Sequence, residues 1–236
     1  YYIKVTINSF NGLYDFNIHS FAFQIVNQYI NFQGVNMESQ VDFINEHIDL
    51  EEDISNYSFS DLNYTFKTTN FIEFKNCKFS NSKLSESSLN NFSFTNCLFT
   101  NVDLSNSILE DSSFVNTNFV NCKLLGTSFL NASFFSCTFT NCLIDYSHFD
   151  SSTIRNCNIR ESSVNSVNFN NVKLLKFTIN DSSLMQSSFI NTNLNGIDLS
   201  SNDISGIVVD KNKLYGLIVN INQAVELSKL LGIIIK

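Results

Sequence analysis

The chain has 236 residues, room for one large domain or two small ones, and carries 24 Phe, no Trp, no Pro and a formal net charge of −8. That acidic balance argues against nucleic acid as a direct ligand and for a partner with a basic surface. No apolar run approaches the ~18 residues of a membrane-spanning helix, and no secretory signal is recognised, so neither membrane nor export is expected.

Taken in chain order, the first fifty-odd residues follow no repeat. Ile3–Ile7 (IKVTI) and Phe21–Val26 (FAFQIV) alternate like strands, and Met37–His47 reads as a short helix. Eight acidic residues (Glu38, Asp42, Glu46, Asp49, Glu51, Glu52, Asp53 and Asp61) fall together with no Lys or Arg among them. This stretch is read either as a solvated cap or as an acidic element that docks an unrelated protein. The expected organisation is an N-terminal acidic non-repeat segment over 1–53, a repeat over 54–209 and a C-terminal cap and dimerisation element over 210–236.

The repeat is regular from Phe74. Every fifth residue from there to Ile204 is Phe, Leu, Ile or Val, 27 positions in succession. Residues five apart lie ~140° round a helix, and an odd spacing points to opposite faces of a strand, so the chain must turn a corner in each pentad. Two places before each large residue stands Ser, Cys, Thr, Val or Ala in 22 of 27 pentads, the exceptions being Ile72, Phe92, Phe177, Ile197 and Asn202. Two places after it stands Asn in 13 pentads and Gly in three, residues suited to turns. Each pentad therefore reads as small side chain in, one out, large side chain in, then corner.

Identity of the large residue recurs at twenty residues in 14 of 23 pairs, so four pentads make one lap. Like residues then stack along the axis as ladders: Phe74, Phe94, Phe114 and Phe134 in one, Phe79, Phe99, Phe119 and Phe139 in another. At ~4.8 Å per coil, seven laps give a rod of about 34 Å. Pentads begin near Ile54, Phe59 and Tyr64 and falter at Lys67 and Thr69, which predicts a loop there. Between Phe74 and Ile204 no residues are left over for protruding loops.

Cys77, Cys97, Cys122, Cys137, Cys142 and Cys157 all occupy the small inward position, where they act as fillers in place of serine. None has CxxC or CxxH spacing for zinc, and six unpaired thiols point to a reducing compartment, the cytoplasm.

Numbering modulo twenty assigns every outward residue to a side. Glu86, Asp103, Glu110, Asp111, Asp145, Asp150, Glu161, Asp181 and Asp203 share one half of the prism with only Lys83 and Lys123, a net charge of −7. The other half sets Glu73 and Asp198 against Lys75, Lys78, Arg155, Arg160, Lys173 and Lys176, a net charge of +4. Nine carboxylates over that rod give less than half the charge density of duplex DNA, which would carry about twenty.

Catalytic chemistry is poorly represented. Only His19, His47 and His148 are present, with His148 expected outward and solvated beside Phe149. No phosphate-cradling loop, nucleophile elbow or HExxH helix occurs, and the adjacent Glu110 and Asp111 do not face each other across a substrate. No catalytic, metal or cofactor residue is expected. An ice-binding ladder is disfavoured by the mixture of Asn, Ser, Lys and Asp at the outward positions.

At the C-terminus, Asn222 is suited to N-cap a helix whose Ala224, Leu227, Leu230 and Leu231 recur at helical spacing, with Gly232 at C′. An open solenoid end needs such a cover. Ile233, Ile234 and Ile235 add more apolar surface than one short helix requires, which predicts a homodimer through this end.

A tandem five-residue unit with a small residue two places before a central Phe or Leu resembles the pentapeptide-repeat family, over about Ile54 to Val209. The resemblance implies an all-β fold, a right-handed four-sided parallel β-helix with a short C-terminal helical cap; it departs from the commonest form in closing its units with Asn where Gly is frequent. The ending, with Gln223-Ala224 and Leu231-Gly232-Ile233, is similar to the cap of the topoisomerase-protecting branch that includes the Qnr, MfpA and McbG types. That similarity implies a non-catalytic protein that binds DNA gyrase or topoisomerase IV as a mimic of duplex DNA and protects it from poisons, as quinolone resistance or toxin immunity. The lack of protruding loops sets this chain apart from some quinolone-resistance members.

Overall fold

The structure, a computed structural model, describes residues 3–9, 12–18, 39–230 and 232–234. The expected strand Phe21–Val26, Met37, Leu231 and Ile235 lie outside them. The chain forms two compact units, Tyr1–Asp42 and Phe43–Lys236. In the first, Ile3–Ser9 and Gly12–Ile18 form an antiparallel hairpin in the register Ile3 opposite Ile18 and Ser9 opposite Gly12.

The second unit is a right-handed parallel β-solenoid of square section. Two of its sides are seven-stranded parallel sheets, one running from Ile54 to Leu175 and the other from Ser58 to Asn180. The other two sides are narrower, held by successive bridges such as Lys83 to Asp103 to Lys123 and Ile108 to Ser128 to His148. Register is kept at twenty residues throughout: Phe94 faces Phe114 and Phe99 faces Phe119.

The corners explain the five-residue period. From Asn56 to Asn191 the residue two places after each large position has positive φ, near 50–63° wherever it is not Gly. One left-handed residue per pentad turns the chain by about a right angle, and Asn tolerates that region better than most residues. Its backbone N–H is not lost, because it reaches the next coil, as from Asn96 to the carbonyl of Val115 at 2.8 Å. Corner amides also ladder along the axis: Asn76, Asn96 and Asn116 each donate from Nδ2 to Oδ1 of the Asn twenty residues earlier, all at 3.1 Å.

Inside, phenyl rings stack from coil to coil. Phe79, Phe99, Phe119 and Phe139 lie 4.7, 4.9 and 4.7 Å apart within 12° of parallel. Phe74, Phe94, Phe114 and Phe134 follow at 5.2, 5.2 and 4.7 Å. In the first coils rings of neighbouring columns meet edge-on, as Phe94 does Phe99 at 73°, the arrangement aromatic quadrupoles favour, and farther on they tilt, as Phe114 does to Phe119 at 59°. All five exceptions at the small position, Ile72, Phe92, Phe177, Ile197 and Asn202, are buried, so a larger side chain is accommodated inside.

The loop expected at Lys67 and Thr69 does not form. Thr68–Asn70 is a strand paired in register with Ser88–Asn90, and the corners at Phe66 and Phe71 keep positive φ. Backbone pairing to the next coil is indifferent to side chains, so it carries the coil through an imperfect core. Coil pairing also runs past Val209, since Asp198 bridges to Ile218 and Leu199 N–H donates to the Ile218 carbonyl.

Helices cover both ends of the solenoid. Helix α1 (Gln40–Asp49) is opened by Ser39, whose Oγ accepts from the N–H of Asp42 at 3.1 Å. Its Phe43 stacks on Tyr57 at 4.5 Å, Ile44 is buried, and Asn45 accepts a hydrogen bond from the Tyr64 hydroxyl at 3.0 Å. Helix α2 (Ile221–Leu230) starts one residue before the expected N-cap. Asn220, not Asn222, caps it: Asn220 Oδ1 accepts from Gln223 N–H at 3.0 Å while Gln223 Oε1 accepts from Asn220 N–H at 2.9 Å. Gly232 takes the C′ position with φ +76°, and the N–H groups of Gly232 and Ile233 close on the carbonyls of Lys229 and Ser228.

Candidate functional site

With the interior filled, chemistry is confined to the outward columns. Four of the nine sequence-derived carboxylates, Glu86, Asp111, Glu161 and Asp181, sit at positive-φ corners and are exposed. No side-chain hydrogen bond or ion pair engages their carboxylates among the described residues. The other five lie beside corners or on the sides, and hydrogen bonds position them. Glu110 Oε1 accepts from Ser128 Oγ at 2.8 Å, and Asp145 Oδ1 accepts from Ser163 Oγ and the N–H of Asn165, both at 2.7 Å. Asp150 accepts from Asn170 at 3.1 Å, and Asp103 from the N–H of Ser105 at 3.0 Å. Asp203 accepts from the hydroxyl and N–H of Ser205, which hold its carboxyl below the usual range. These bonds fix where the carboxylates stand.

Two details qualify the acidic half. Asp103 is bracketed by Lys83 and Lys123 one coil on either side, so the acidic half is interrupted there. Leu143 and Tyr146, 43% and 65% exposed, flank Asp145, giving the middle of the rod an apolar element among its carboxylates. Both stand at positions that the pentad assigns outward, so the signal was an apolar residue where a polar one belongs. His148 is half-exposed as expected but engaged, with Nδ1 at 2.9 Å from Asn168 Nδ2 and 3.7 Å from Asp150.

On the opposite half Arg155, Lys173 and Lys176 are exposed and make no ion pair among the described residues, and Arg160 Nε donates to Thr140 at 3.1 Å. Lys75 bridges Glu73 at 2.8 Å and Asp53 at 3.1 Å.

At the C-terminal end Gln223 is the anchor that sequence reasoning passed over. Buried, it donates from Nε2 to the carbonyls of Leu199 and Asn202 at 2.9 and 2.7 Å, tying α2 to the last coils. Of the expected cap stripe, Leu227 is buried, Leu230 half-buried and Ala224 exposed, and Ala224 and Leu227 line a cleft of about 220 Å³ with Leu214, Leu217 and Val219. Ile233 and Ile234 are 52% and 85% exposed, joined by Ile221 at 83%.

All six cysteines are buried and unbridged. Five thiols repeat the bond that serine and threonine make at the same position, to the carbonyl 23 residues earlier. Cys97 reaches Phe74 O at 3.3 Å where Thr117 reaches Phe94 O at 3.0 Å. Cys97, Cys122 and Cys137 are pushed above the ordinary thiol range by hydrogen bonds to Cys77, Cys142 and Cys157 and then by burial. Among the described residues no group of three or more His, Cys, Asp or Glu is placed to hold a metal ion, and no helix is long and apolar enough to cross a membrane.

Comparison with known proteins agrees with this geometry. The family description "Pentapeptide repeat region" matches residues 92–169 and 112–189. No curated protein sequence matches the chain. Among solved structures, a trypsin-treated QnrB1, a plasmid-mediated fluoroquinolone resistance protein, is 17% identical with a TM-score of 0.47, covering 78% of this chain and 99% of its own. HetL, a pentapeptide repeat protein involved in heterocyst differentiation regulation from the cyanobacterium Nostoc sp., is 14% identical with a TM-score of 0.31, covering 74% and 92%. A pentapeptide repeat protein of the Arabidopsis thaliana thylakoid lumen is 19% identical with a TM-score of 0.21, covering 58% and 71%. Likeness of this order to solved structures carries no argument about this chain.

Proposed function

Given that the chain is a pentapeptide-repeat β-solenoid protein, we propose that it acts without catalysis, presenting its acidic half to the DNA-binding surface of a type II topoisomerase, gyrase or topoisomerase IV, and protecting that enzyme from poisons. The observation that carries this reading is the set of carboxylates that the twenty-residue register brings to one half of the solenoid, at multiples of the ~4.8 Å coil spacing. Four of them project freely from corners, and Glu110, Asp145 and Asp150 are held by their neighbours. Charges on a rigid frame need no ordering on binding, which offsets a density below that of DNA. The similarity of the C-terminal ending to the topoisomerase-protecting branch adds to this, although Gln223 and Gly232 already have structural roles in the cap.

A second element of the proposal is a homodimer through the C-terminal end. Ile221, Ile233 and Ile234 expose apolar surface beside the cleft over α2, more than an isolated cap needs. An end-to-end pair doubles the length of the acidic half. Light scattering at micromolar concentration tests it: twice the chain mass is expected, and the monomer mass counts against it.

The functional test is DNA supercoiling by purified gyrase with and without a quinolone, across a titration of the protein. The expected result is recovered supercoiling in the presence of the drug. Unchanged inhibition at every ratio rejects the reading.

A further inference from the structure

The six cysteines do more than share the small inward position: they fall into three couples, Cys77 with Cys97, Cys122 with Cys142 and Cys137 with Cys157, each twenty residues apart. A residue used only as a filler has no reason to come in couples, because serine serves at the same position throughout the rod. Here every cysteine has one cysteine as its axial neighbour, and Thr117 separates the couple ending at Cys97 from the one beginning at Cys137.

The register makes each couple a contact. Leu98 pairs with Lys78 and Phe99 with Phe79, and Thr138 pairs with Asn158, so the preceding cysteines stand directly one above the other in adjacent coils. In-register strands set their Cα atoms ~4.8 Å apart, inside the 4.4–6.8 Å range that a disulfide spans. The closeness is direct in one couple, where the N–H of Cys137 lies 3.4 Å from Cys157 Sγ. Each is no more than 2% exposed, so no reagent of any size reaches them while the coils are closed.

We propose that these are three cross-coil dithiols, each built to close as a disulfide while the rod folds in an oxidising medium and to be shielded from exchange once the coils have formed. With glutathione disulfide as the oxidant, one cysteine thiolate attacks a glutathione sulfur and expels glutathione thiolate. The second cysteine thiolate then attacks the first cysteine's sulfur in that mixed disulfide and expels the other glutathione thiolate. Two protein thiols are oxidised to one disulfide, one glutathione disulfide is reduced to two glutathiones, and the two cysteine protons end on them. Each closed pair links successive coils across one lap of twenty residues.

The test is refolding of the full chain from denaturant with either a reductant or a glutathione redox buffer, followed by peptide mapping without reduction and by thermal melting. The expected products carry only the 77–97, 122–142 and 137–157 links, lose about 2 Da per pair, and melt about 5 °C or more above the reduced chain. The folded, reduced chain placed in the same buffer stays reduced. The C97S variant loses the first link and keeps the other two. Links at other separations, stable glutathione adducts in place of links, no oxidation on refolding, or a lowered melting temperature each overturn the proposal.

Discussion

The inner and outer walls of the rod obey different rules, although both are written in the same pentads. In the coil from Ser113 to Val120, Phe114, Thr117 and Phe119 point inward and are at most 1% exposed, while Val115, Asn118 and Val120 point out. Each inward residue meets its counterpart twenty residues away, so an error is repeated in contact with the coils above and below. An outward residue meets solvent and tolerates Lys, Asp, Leu or Ser at equivalent positions. Constraint inside and freedom outside teach that stability lies on one wall of this protein and that the other is free to vary.

The sharpest way to break that contrast is to truncate one residue on each wall. Phe119→Ala opens a hole in a ladder stacked at 4.9 and 4.7 Å and is expected to lower stability by about 3–5 kcal/mol. Val120→Ala, on the outside of the same strand, is expected within about 0.5 kcal/mol of the parent. Denaturant melts of the two variants decide it, and equal effects dissolve the distinction.

A smaller effect is expected at the corners, where the walls meet. Asn116 has φ 50° and donates to Asn96 at 3.1 Å. Asn116→Val forces a β-branched residue into the left-handed region and removes that bond, at a cost of about 1–3 kcal/mol, whereas Asn116→Gly recovers most of it. Thermal melts in which the two variants coincide remove left-handed geometry as the reason for Asn at this site.

The mildest probe is alkaline pH. Cys97, Cys122 and Cys137 hold their protons above the ordinary thiol range in the fold, and burial pushes Tyr64 up to about 12. Below pH ~8.5 both the folded and unfolded thiols are protonated and the stability they contribute is complete. At these three positions the unfolded chain releases protons first, so their contribution falls as pH rises, while Cys77, Cys142 and Cys157, lowered by the hydrogen bonds to their partners, act in the opposite sense. The decline left uncompensated is that of Tyr64, so the melting temperature should fall above about pH 10, and the Tyr64→Phe variant should decline less.

The contrast also accounts for what the sequence made legible. Period five, the inward cysteines and the helix stop at Gly232 follow from rules that hold at every lap. The coil through Lys67 and Thr69 was hidden because its large position holds Thr, while the backbone pairing that sustains it leaves no mark on side chains. Asn220 was missed as the N-cap because the decisive partner is a reciprocal bond with Gln223, and Asn222 is the same residue type two places on. Which carboxylates are held and which are free could not be read either. Asp145 depends on Ser163 and Asn165, whose nearness arises only once the coils stack.

Binding to purified gyrase, by wild type and by the E86K/D111K/E161K/D181K variant, tests the central claim most directly. The carboxylates at these four corners take part in no hydrogen bond among the described residues, and the variant is expected to keep the fold, since Lys176 already occupies such a corner at φ 51°. The account predicts that wild type binds, that added salt weakens the complex, and that the folded variant does not bind. Equal binding by both would place recognition elsewhere on the rod and contradict it.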